Sequence, residues 1–424
     1  MRTNCRHILS LAAAALTLLP LLLVSCRKDE DFRTGHDSEY NENPAPARRS
    51  DPIDRKVLLV YSAGYNSLSG YLRDDILDLL DGDYIPGYRA NDPVLLVFSR
   101  NKDQQTPVLS RIYQDYYGET QRDTLHVPGL TATTPVSTGE CLSRVLNFVH
   151  DNFPGSQYGM VFSSHASGWL PPGYYSHPED FDENSGLIWN VGKNSIGQDM
   201  QDKDTSIEMS LPEFRDALSV HLNYLLFDAC LMGTVEVAYE LREKVDTVGF
   251  SQTEILAEGY NYKRMAWNLL SDEGGGAIGV CRDYYEPYES NPEKSRRCAT
   301  ISVIDTKKMD TLANTCAPIF QAHRDAIHSL NGSTVQPFFR DDRHWFYDLE
   351  DILVKAGISD PEKASLDTAL DQAIVYKAAT QNFLSIRIYT YCGLSMYLPG
   401  NSSEYLRNYY KDYISWNAAT GLAN

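Results

Sequence analysis

Two residue types that can act as a nucleophile and as a base follow two separate apolar segments. Cys230 lies within LLFDACLMGTVEVAYEL (225–241), and His165 directly follows YGMVFSS (158–164). An imidazole can remove the proton of a thiol near neutral pH, and the resulting thiolate attacks carbonyl carbons. A single cysteine at a strand end is more often a buried apolar residue, and a single histidine is more often structural. The pair, each at the end of a predicted strand, indicates nucleophilic catalysis.

A carboxylate lies two residues before the thiol, at Asp228. Side chains i and i+2 of a strand project to the same side, so Asp228 is expected in the cleft that receives Cys230 if the strand continues through Ala229. A carboxylate there would raise the pKa of the thiol, and a cationic substrate group would remove that cost by pairing with it. Aspartate is also a favoured N-cap residue, so the alternative that Asp228 caps the following helix or orients the loop stays open.

A helical pattern follows the thiol in LMGTVEVAYELREK (231–244), which has no internal proline. Its apolar side chains recur at helical spacing. We therefore expect the N-terminus of this helix to lie next to Cys230, where its partial positive charge would stabilise a thiolate. Its backbone N–H groups would hold the oxyanion of a tetrahedral intermediate.

The elements that must position these residues alternate between apolar strands and amphipathic helices. Strands are predicted at 57–63, 94–98, 109–114, 158–164, 224–229, 247–251 and 299–305, and helices at 68–80, 137–153 and 211–222. Near-continuous apolar strands that alternate with helices predict a mostly parallel α/β sheet covered on both faces. Functional side chains of such sheets meet at the carboxyl ends of the strands, so His165 and Cys230 are expected to meet there.

The first 25 residues have the pattern of an export signal. Two arginines precede the apolar run 8–24, which Pro20 interrupts and which is short for a membrane span. The run ends in LVSC, the pattern of a bacterial lipobox, in which Cys26 would receive a lipid and become the mature N-terminus. The following RKDED (27–31) resembles the charged tag that directs some Gram-negative lipoproteins to the cell exterior. We therefore expect an outer-membrane lipoprotein exposed at the cell surface.

The mature chain would be strongly acidic. Loss of residues 1–25 removes two arginines and no acid, so the formal net charge of −19 becomes −21. So much negative charge disfavours binding to nucleic acid and to anionic lipid surfaces. Composition and element spacing predict a signal peptide at 1–25, a flexible tether at 26–54, a catalytic core at 55–305 and a C-terminal region at 306–424 that packs around the same core.

Metal and phosphate sites are not indicated. The sequence has no CxxC or HxxxH pair, and DEGGG (272–276) lacks the lysine of a phosphate loop. The acidic run PEDFDEN (178–184) lacks the glycine and the closing glutamate of an EF-hand loop. The six cysteines that follow Cys26 do not have the dense spacing of a disulfide scaffold.

Several segments together resemble the clostripain family of cysteine peptidases, which are relatives of caspases, legumains and gingipains. They are SSHASGWLPPGY (163–174), LLFDACLMGTVEVAYEL, FSQTEILAEGYNY (250–262), VLLVYSAGYNSLSGYLRDDILDL (57–79) and CGLSMYLP (392–399). The resemblance extends over most of residues 56–424. It implies a caspase-like α/β/α sandwich, a His165–Cys230 dyad and cleavage after Arg or Lys.

The same resemblance implies roles for further residues of the site. Asp228 would recognise the basic residue before the cleaved bond, and a second acid would come from Glu254 or Glu258. The backbone N–H groups of Ala166 and Cys230 would form the oxyanion hole. This chemistry requires no cofactor, and calcium, which some relatives need, has no support in the sequence.

Three features depart from the family pattern. Ala166 stands where a glycine usually follows the catalytic histidine, and Tyr65 stands where an acid is common. Relatives often activate themselves by cleavage at a basic residue shortly after the histidine, whereas here the first basic residues are Lys193 and Lys203. These departures leave two hypotheses open. One is an exported, lipid-anchored cysteine endopeptidase, and the other is an inactive relative that serves as a surface binding or scaffolding lipoprotein.

Overall fold

The computed structural model describes residues 54–181, 195–200, 206–340 and 344–424. The expected signal peptide, Cys26, nearly all of the tether, and Lys193 and Lys203 lie outside the described residues.

The described residues form strands β1 (Lys56–Gly64), β2 (Val94–Asn101), β3 (Val108–Gln114), β4 (Thr120–Leu125), β5 (Gln157–Ser163), β6 (Ile196–Met200), β7 (Ser206–Met209), β8 (Tyr224–Asp228), β9 (Thr247–Phe250), β10 (Thr300–Asp305), β11 (Tyr347–Asp348), β12 (Ile374–Ala379), β13 (Asn382–Phe383), β14 (Ile386–Arg387) and β15 (Ser395–Met396). The helices are α1 (Ser69–Leu80), α2 (Gly139–Asn152), α3 (Leu211–Ala217), α4 (Val235–Leu241), α5 (Tyr262–Leu270), α6 (Gly276–Glu289), α7 (Met309–Ala322), α8 (Arg324–His328), α9 (Leu349–Lys355), α10 (Asp360–Ala373), α11 (Glu404–Tyr413) and α12 (Ser415–Thr420).

The main sheet of the described residues has nine strands in the order β12-β10-β9-β8-β5-β1-β2-β3-β4. The five central strands, from β9 to β2, run parallel, and antiparallel strands extend the sheet at both edges. The mostly parallel sheet predicted from the alternation of strands and helices is therefore confirmed. Strands β4 and β12 were not predicted, because TQRDTL and the half-exposed IVYKAA lack the apolar runs of central strands.

Helices cover both faces of this sheet. Along β1, Leu58 and Val60 face one layer, which includes α1, α5 and α6, whereas Leu59 and Tyr61 face the other layer, which includes α2, α3 and α4. This alternation is the two-residue period of a strand with both faces buried. The protein is therefore an α/β/α sandwich.

The C-terminal residues pack against the second of these layers. Trp416 and other side chains from α7 to α12 belong to the same buried cluster as α2 and α4. The carboxylate of Glu236 in α4 accepts hydrogen bonds from the backbone N–H of Tyr397 (2.9 Å) and the hydroxyl of Tyr410 (2.8 Å). Among the described residues, no helix combines the length and apolarity that crossing a membrane requires.

Candidate active site

A cavity of about 310 Å³ opens at the carboxyl ends of the central strands. His165, Cys230 and Asp228 all line it, together with Leu68 and Leu72 from the start of α1. The strands explain this convergence, because β5 and β8 are parallel neighbours in which Ser163 pairs with Asp228. The chain therefore leaves both strands at the same level, and the residues that follow each strand share one edge of the sheet.

The ring of His165 is held by a serine from a different element. Its Nε2 lies 2.8 Å from Oγ of Ser67, which is exposed and precedes α1. Among the described residues, Nδ1 of His165 has no hydrogen-bond partner. This side of the ring can therefore receive a proton from another group. Burial lowers the pKa of His165 because it disfavours the imidazolium, and the ring is therefore neutral near pH 7.

The thiol of Cys230 is also in its neutral form. Burial raises its pKa to about 12, and the nearby carboxylates of Glu254 and Asp228 act in the same direction. The thiol donates a weak hydrogen bond to the carbonyl oxygen of Ile255, with 3.7 Å between Sγ and O. Within the described part of the chain, no hydrogen bond joins Cys230 to His165. The site therefore contains a neutral thiol and a neutral imidazole.

The prediction that a helix begins next to Cys230 is wrong. Helix α4 begins at Val235 with Thr234 as its N-cap, so the thiol lies five residues before the helix. The chain between them turns sharply, because Leu231 adopts a left-handed φ of +60° and donates its backbone N–H to the carbonyl of Thr253 (3.0 Å). A seven-residue helix that begins there does not place its N-terminal charge on the thiol. The N-terminus of α4 therefore offers no oxyanion donor beside Cys230, and only loop N–H groups could do so.

Two loop N–H groups are free to serve as oxyanion donors. Among the described residues, the backbone N–H groups of Ala166 and Cys230 donate no hydrogen bond, whereas the neighbouring Ser167 donates to Ser195 at 2.8 Å. Ala166 does not have a positive φ, so its side chain causes no backbone strain. The positive φ in this loop belongs to Gly168 (+67°), where a β-carbon would lie 2.7 Å from the carbonyl oxygen of Leu231.

Asp228 lies on the cavity wall with only 6% of its surface exposed. Its Oδ2 accepts hydrogen bonds from the hydroxyls of Tyr262 (2.8 Å) and Ser163 (3.2 Å). Burial raises the pKa of Asp228, and these hydrogen bonds oppose that change. The prediction that Asp228 caps the following helix is wrong, because Thr234 caps α4, and the alternative that Asp228 orients the loop stays a prediction.

The two acids expected from the 250–262 segment occupy different positions. Glu254 lines the cavity, but its carboxylate forms a bidentate ion pair with Arg340, with distances of 2.6 and 2.9 Å. Glu258 is exposed and is not among the residues that line the cavity. Arg340 also lines the cavity, so the negative charge of Glu254 is already matched there by a residue of the same chain.

A further buried acid lies in α1. Asp75, in α1, is 9% exposed, and its Oδ2 has no hydrogen-bond partner among the described residues. Burial, followed by the charge of Asp228, raises its pKa to about 9. The sequence analysis did not select Asp75, although an acid one residue before Ile76, on the apolar side of an amphipathic helix, is a recognisable signal.

Tyr65, which directly follows β1, has a structural role. The guanidinium of Arg100 lies 4.1 Å from the ring centre of Tyr65 and forms a buried ion pair with Asp199 at 2.7 Å. The backbone carbonyl of Tyr65 accepts a hydrogen bond from Met200 (2.9 Å). Tyr65 therefore helps to fix β6 beside the loop that carries His165.

The other cysteines are not placed for catalysis. Cys141, Cys281, Cys298, Cys316 and Cys392 are buried, and none of the six cysteines of the described residues forms a disulfide. Within the same residues, no group of three or more His, Cys, Asp or Glu side chains is arranged to hold a metal ion.

Comparison with known proteins matches most of the chain to a family model. The model for the clostripain family matches residues 60–421. The chain belongs to the clostripain family. Clostripain from Hathewaya histolytica is 23% identical over 240 residues, which are 52% of this chain and 43% of that relative. The matched segment therefore spans less than half the length of this curated relative.

Solved structures of similar proteins share the fold. An inactive zymogen C11 protease from Parabacteroides distasonis has a TM-score of 0.69 at 24% identity and covers 88% of this chain and 99% of its own. A secreted C11 cysteine protease from Bacteroides thetaiotaomicron, in complex with an irreversible peptide inhibitor, has a TM-score of 0.70 at 24% identity. The match covers 86% of this chain and 98% of that protease chain. The caspase-like architecture expected for this family member is thus confirmed.

Proposed function

We propose that this clostripain-family protein is a cysteine endopeptidase that cleaves after Arg or Lys. The observation that carries the proposal is the position of His165, Cys230 and Asp228 in the wall of a single cavity. A base, a nucleophile and a carboxylate that can bind a cation are thereby within reach of one substrate residue. The membership of the clostripain family supports a cysteine peptidase, and the buried acid supports the preference for a basic residue.

The reaction begins with a proton transfer between two neutral groups. His165 accepts the thiol proton of Cys230, and the thiolate attacks the carbonyl carbon of the scissile peptide bond. The backbone N–H groups of Ala166 and Cys230 stabilise the oxyanion. The imidazolium then donates its proton to the leaving amine, and water attacks the thioester to release the second product.

Substrate binding lowers the barrier to the first step. The charge of Asp228 contributes to the raised pKa of Cys230. An arginine or lysine side chain that pairs with Asp228 removes this repulsion, so the pKa of the thiol falls when the correct substrate is bound. A substrate with a leucine at the same position gives no such change. Selectivity is therefore expected in the chemical step as well as in binding.

The position of the protein in the cell follows from its N-terminus. LVSC at 23–26 supports lipid attachment at Cys26, and the charged residues after it support export to the outer membrane and the cell surface. The test is the full-length protein expressed in a Gram-negative host, partitioned with a phase-separating detergent and analysed by mass spectrometry of the N-terminus. Attachment at Cys26 is contradicted if Cys26→Ala stays in the detergent phase.

The enzymatic proposal is tested with matched peptides that differ only before the cleaved bond, carrying Arg, Lys, Leu or Asp. We expect cleavage of the Arg and Lys peptides, no cleavage by Cys230→Ala or His165→Ala, and full activity of the control Cys316→Ala. Asp228→Asn should lose most of the preference for Arg. Equal cleavage of the Leu and Arg peptides by the unmodified protein would contradict the specificity.

A zymogen must be distinguished from an inactive protein. The assay is therefore repeated after limited digestion with a lysine-specific peptidase, and Cys230 is labelled with a thiol-reactive probe that carries an arginine. Labelling of the unmodified protein but not of Cys230→Ala supports the peptidase. Neither labelling nor cleavage, before and after digestion, would instead favour the surface binding protein.

A further inference from the structure

An ion pair in the wall of the cavity has no role in the reaction described so far. Arg340 donates to the carboxylate of Glu254 through Nε (2.6 Å) and Nη2 (2.9 Å), and both residues line the cavity. Among the described residues that line it, Arg340 carries the only permanent positive charge. An arginine–carboxylate pair with two parallel hydrogen bonds has a defined geometry and is stronger than a single contact. The pair is therefore a built feature of the wall.

The loop after β9 runs beside the chain that carries the thiol, in the opposite direction. At one end of the loop, the carbonyl of Thr253 accepts a hydrogen bond from the backbone N–H of Leu231 (3.0 Å). At the other end, a β-carbon on Gly259 would lie 2.7 Å from Oδ2 of Asp228. The loop therefore passes along the whole site, and its two ends lie at different levels of the chain that carries the thiol.

Glu254 lies at the end of this loop that is further from Asp228. Sγ of Cys230 donates a weak hydrogen bond to the carbonyl of Ile255 (3.7 Å), and Glu254 directly precedes Ile255. The two acids also differ in depth. Asp228 is 6% exposed, whereas the side chains of Glu254 and Arg340 are 23% and 34% exposed. The cavity therefore has a deep acid on one side of the thiol and an ion pair nearer to its opening.

The deep acid and the ion pair would meet different residues of a peptide substrate. If a basic side chain binds Asp228, the carbonyl carbon of that residue lies at Cys230, and the adjacent substrate residues lie nearer to the opening. Neighbouring Cα atoms are about 3.8 Å apart, so a long side chain on an adjacent residue can reach the ion pair. Glu254 alone would attract a second cation there, whereas Arg340 occupies its carboxylate and repels such a cation.

We propose that Arg340 is a specificity-determining residue that, by pairing with Glu254, excludes a second basic side chain next to the one that binds Asp228. The preferred substrates are thereby peptides with a single Arg or Lys at the cleavage site, and not pairs of basic residues. The inference rests on the proposed function, because it concerns the same cavity. With a formal net charge of −19, the chain would otherwise attract clusters of basic residues.

The experiment compares kcat/KM for peptides that all carry arginine before the scissile bond and differ only at one adjacent position. This position, tested on each side in turn, holds either arginine or citrulline, which has nearly the same shape and no charge. Mass spectrometry counts cleavage at the designated bond alone. The ratio of the arginine to the citrulline peptide measures the effect of the second charge, and any effect of a variant on the thiol itself cancels in that ratio.

The unmodified protein should give a ratio of one or less on both sides. Arg340→Gln should raise the ratio about three- to fivefold on one side, because Glu254 then meets the second cation in a site open to solvent. The double variant that combines Arg340→Gln with Glu254→Gln should return the ratio to that of the unmodified protein. Arg242→Gln is the matched control, because it breaks an ion pair with Asp310 (2.8 Å) and neither residue lines the cavity. It should leave the ratio unchanged.

Three results would overturn the inference while the proposed function stands. The first is a ratio that Arg340→Gln leaves unchanged on both sides, although the unmodified protein cleaves the citrulline peptides. The second is a rise that persists in the double variant, because Glu254 would then not be the group that Arg340 masks. The third, which decides if Arg340→Gln does not fold, is a ratio above about five in the unmodified protein. Failure of the unmodified protein to cleave any arginine peptide, before and after digestion with the lysine-specific peptidase, would instead contradict the proposed function.

Discussion

Oγ of Ser67 and Nε2 of His165 lie 2.8 Å apart, although they belong to different loops at the same edge of the sheet. A hydrogen bond at Nε2 fixes the orientation of the ring, and a fixed ring leaves Nδ1 as the atom that exchanges a proton with the thiol. Ser67 is thus a positioning residue for the proposed base. A hydroxyl leaves the ring neutral, whereas an acid in this place would favour the imidazolium.

Ser67→Ala should therefore lower kcat about five- to tenfold with little change in KM, since one orienting hydrogen bond contributes about 1 kcal/mol. The measurement is kcat and KM, each as a function of pH, for an arginine peptide, and Ser67→Thr should restore most of the loss in kcat. A purely structural role predicts a lower Tm with an unchanged kcat in the folded fraction, and that result would contradict the assignment.

The general arrangement of the site could be predicted from the sequence, because it depends on local patterns. Apolar runs located β5 and β8, and the parallel sheet then required His165 and Cys230 to meet. The start of α4 was predicted too early, because the helical spacing of apolar residues continues through a turn that Leu231 makes with a left-handed backbone. Periodicity does not reveal such a turn, which tertiary hydrogen bonds to the 251–253 segment stabilise.

Partners that are distant in sequence could not be predicted. Ser67 and His165 are 98 residues apart, and Glu254 and Arg340 are 86 residues apart. Their pairing depends on how the loops pack after the sheet has formed.

Gly259→Ala should close the part of the cavity that holds Asp228. Gly259 has a φ of +61°, and a β-carbon there would lie 2.7 Å from Oδ2 of Asp228. We expect KM for arginine peptides to rise at least about tenfold, because a displaced binding group costs affinity steeply. Labelling of Cys230 by the small reagent iodoacetamide should be unchanged.

Gly357→Ala is the control for the backbone strain that an alanine causes at position 259. Gly357 has a φ of +85°, and a β-carbon there meets no atom within 4 Å. Both variants should lose about 1 kcal/mol of unfolding free energy. An equal effect of both on KM would show that the result comes from general destabilisation and not from the cavity.

Glu254→Gln should reduce the preference for arginine much less than Asp228→Asn. The bidentate ion pair with Arg340 already neutralises Glu254, so little of its charge is left for a substrate cation. The comparison is the ratio of kcat/KM for the arginine and leucine peptides in the two variants. Arg340→Ala should remove the ion-pair partner of Glu254 and so increase the preference for arginine. The double variant that combines Arg340→Ala with Glu254→Gln should not show that increase. A fall in the ratio for Glu254→Gln as large as that for Asp228→Asn would place Glu254 in direct contact with the substrate cation.

Asp75→Asn should make the empty protein more stable at neutral and alkaline pH. The folded state raises the pKa of Asp75 from the ordinary value of 3.8 to about 9, so it binds that proton more tightly than the unfolded chain does. Stability is therefore lost as the pH rises from about 4 towards 9, because the folded state must either keep the proton or bear an unpaired buried charge. The Tm difference between Asp75→Asn and the parent protein should be small at pH 4 and should grow steadily up to about pH 9. A Tm difference that does not change between pH 4 and pH 9 would show that Asp75 titrates normally.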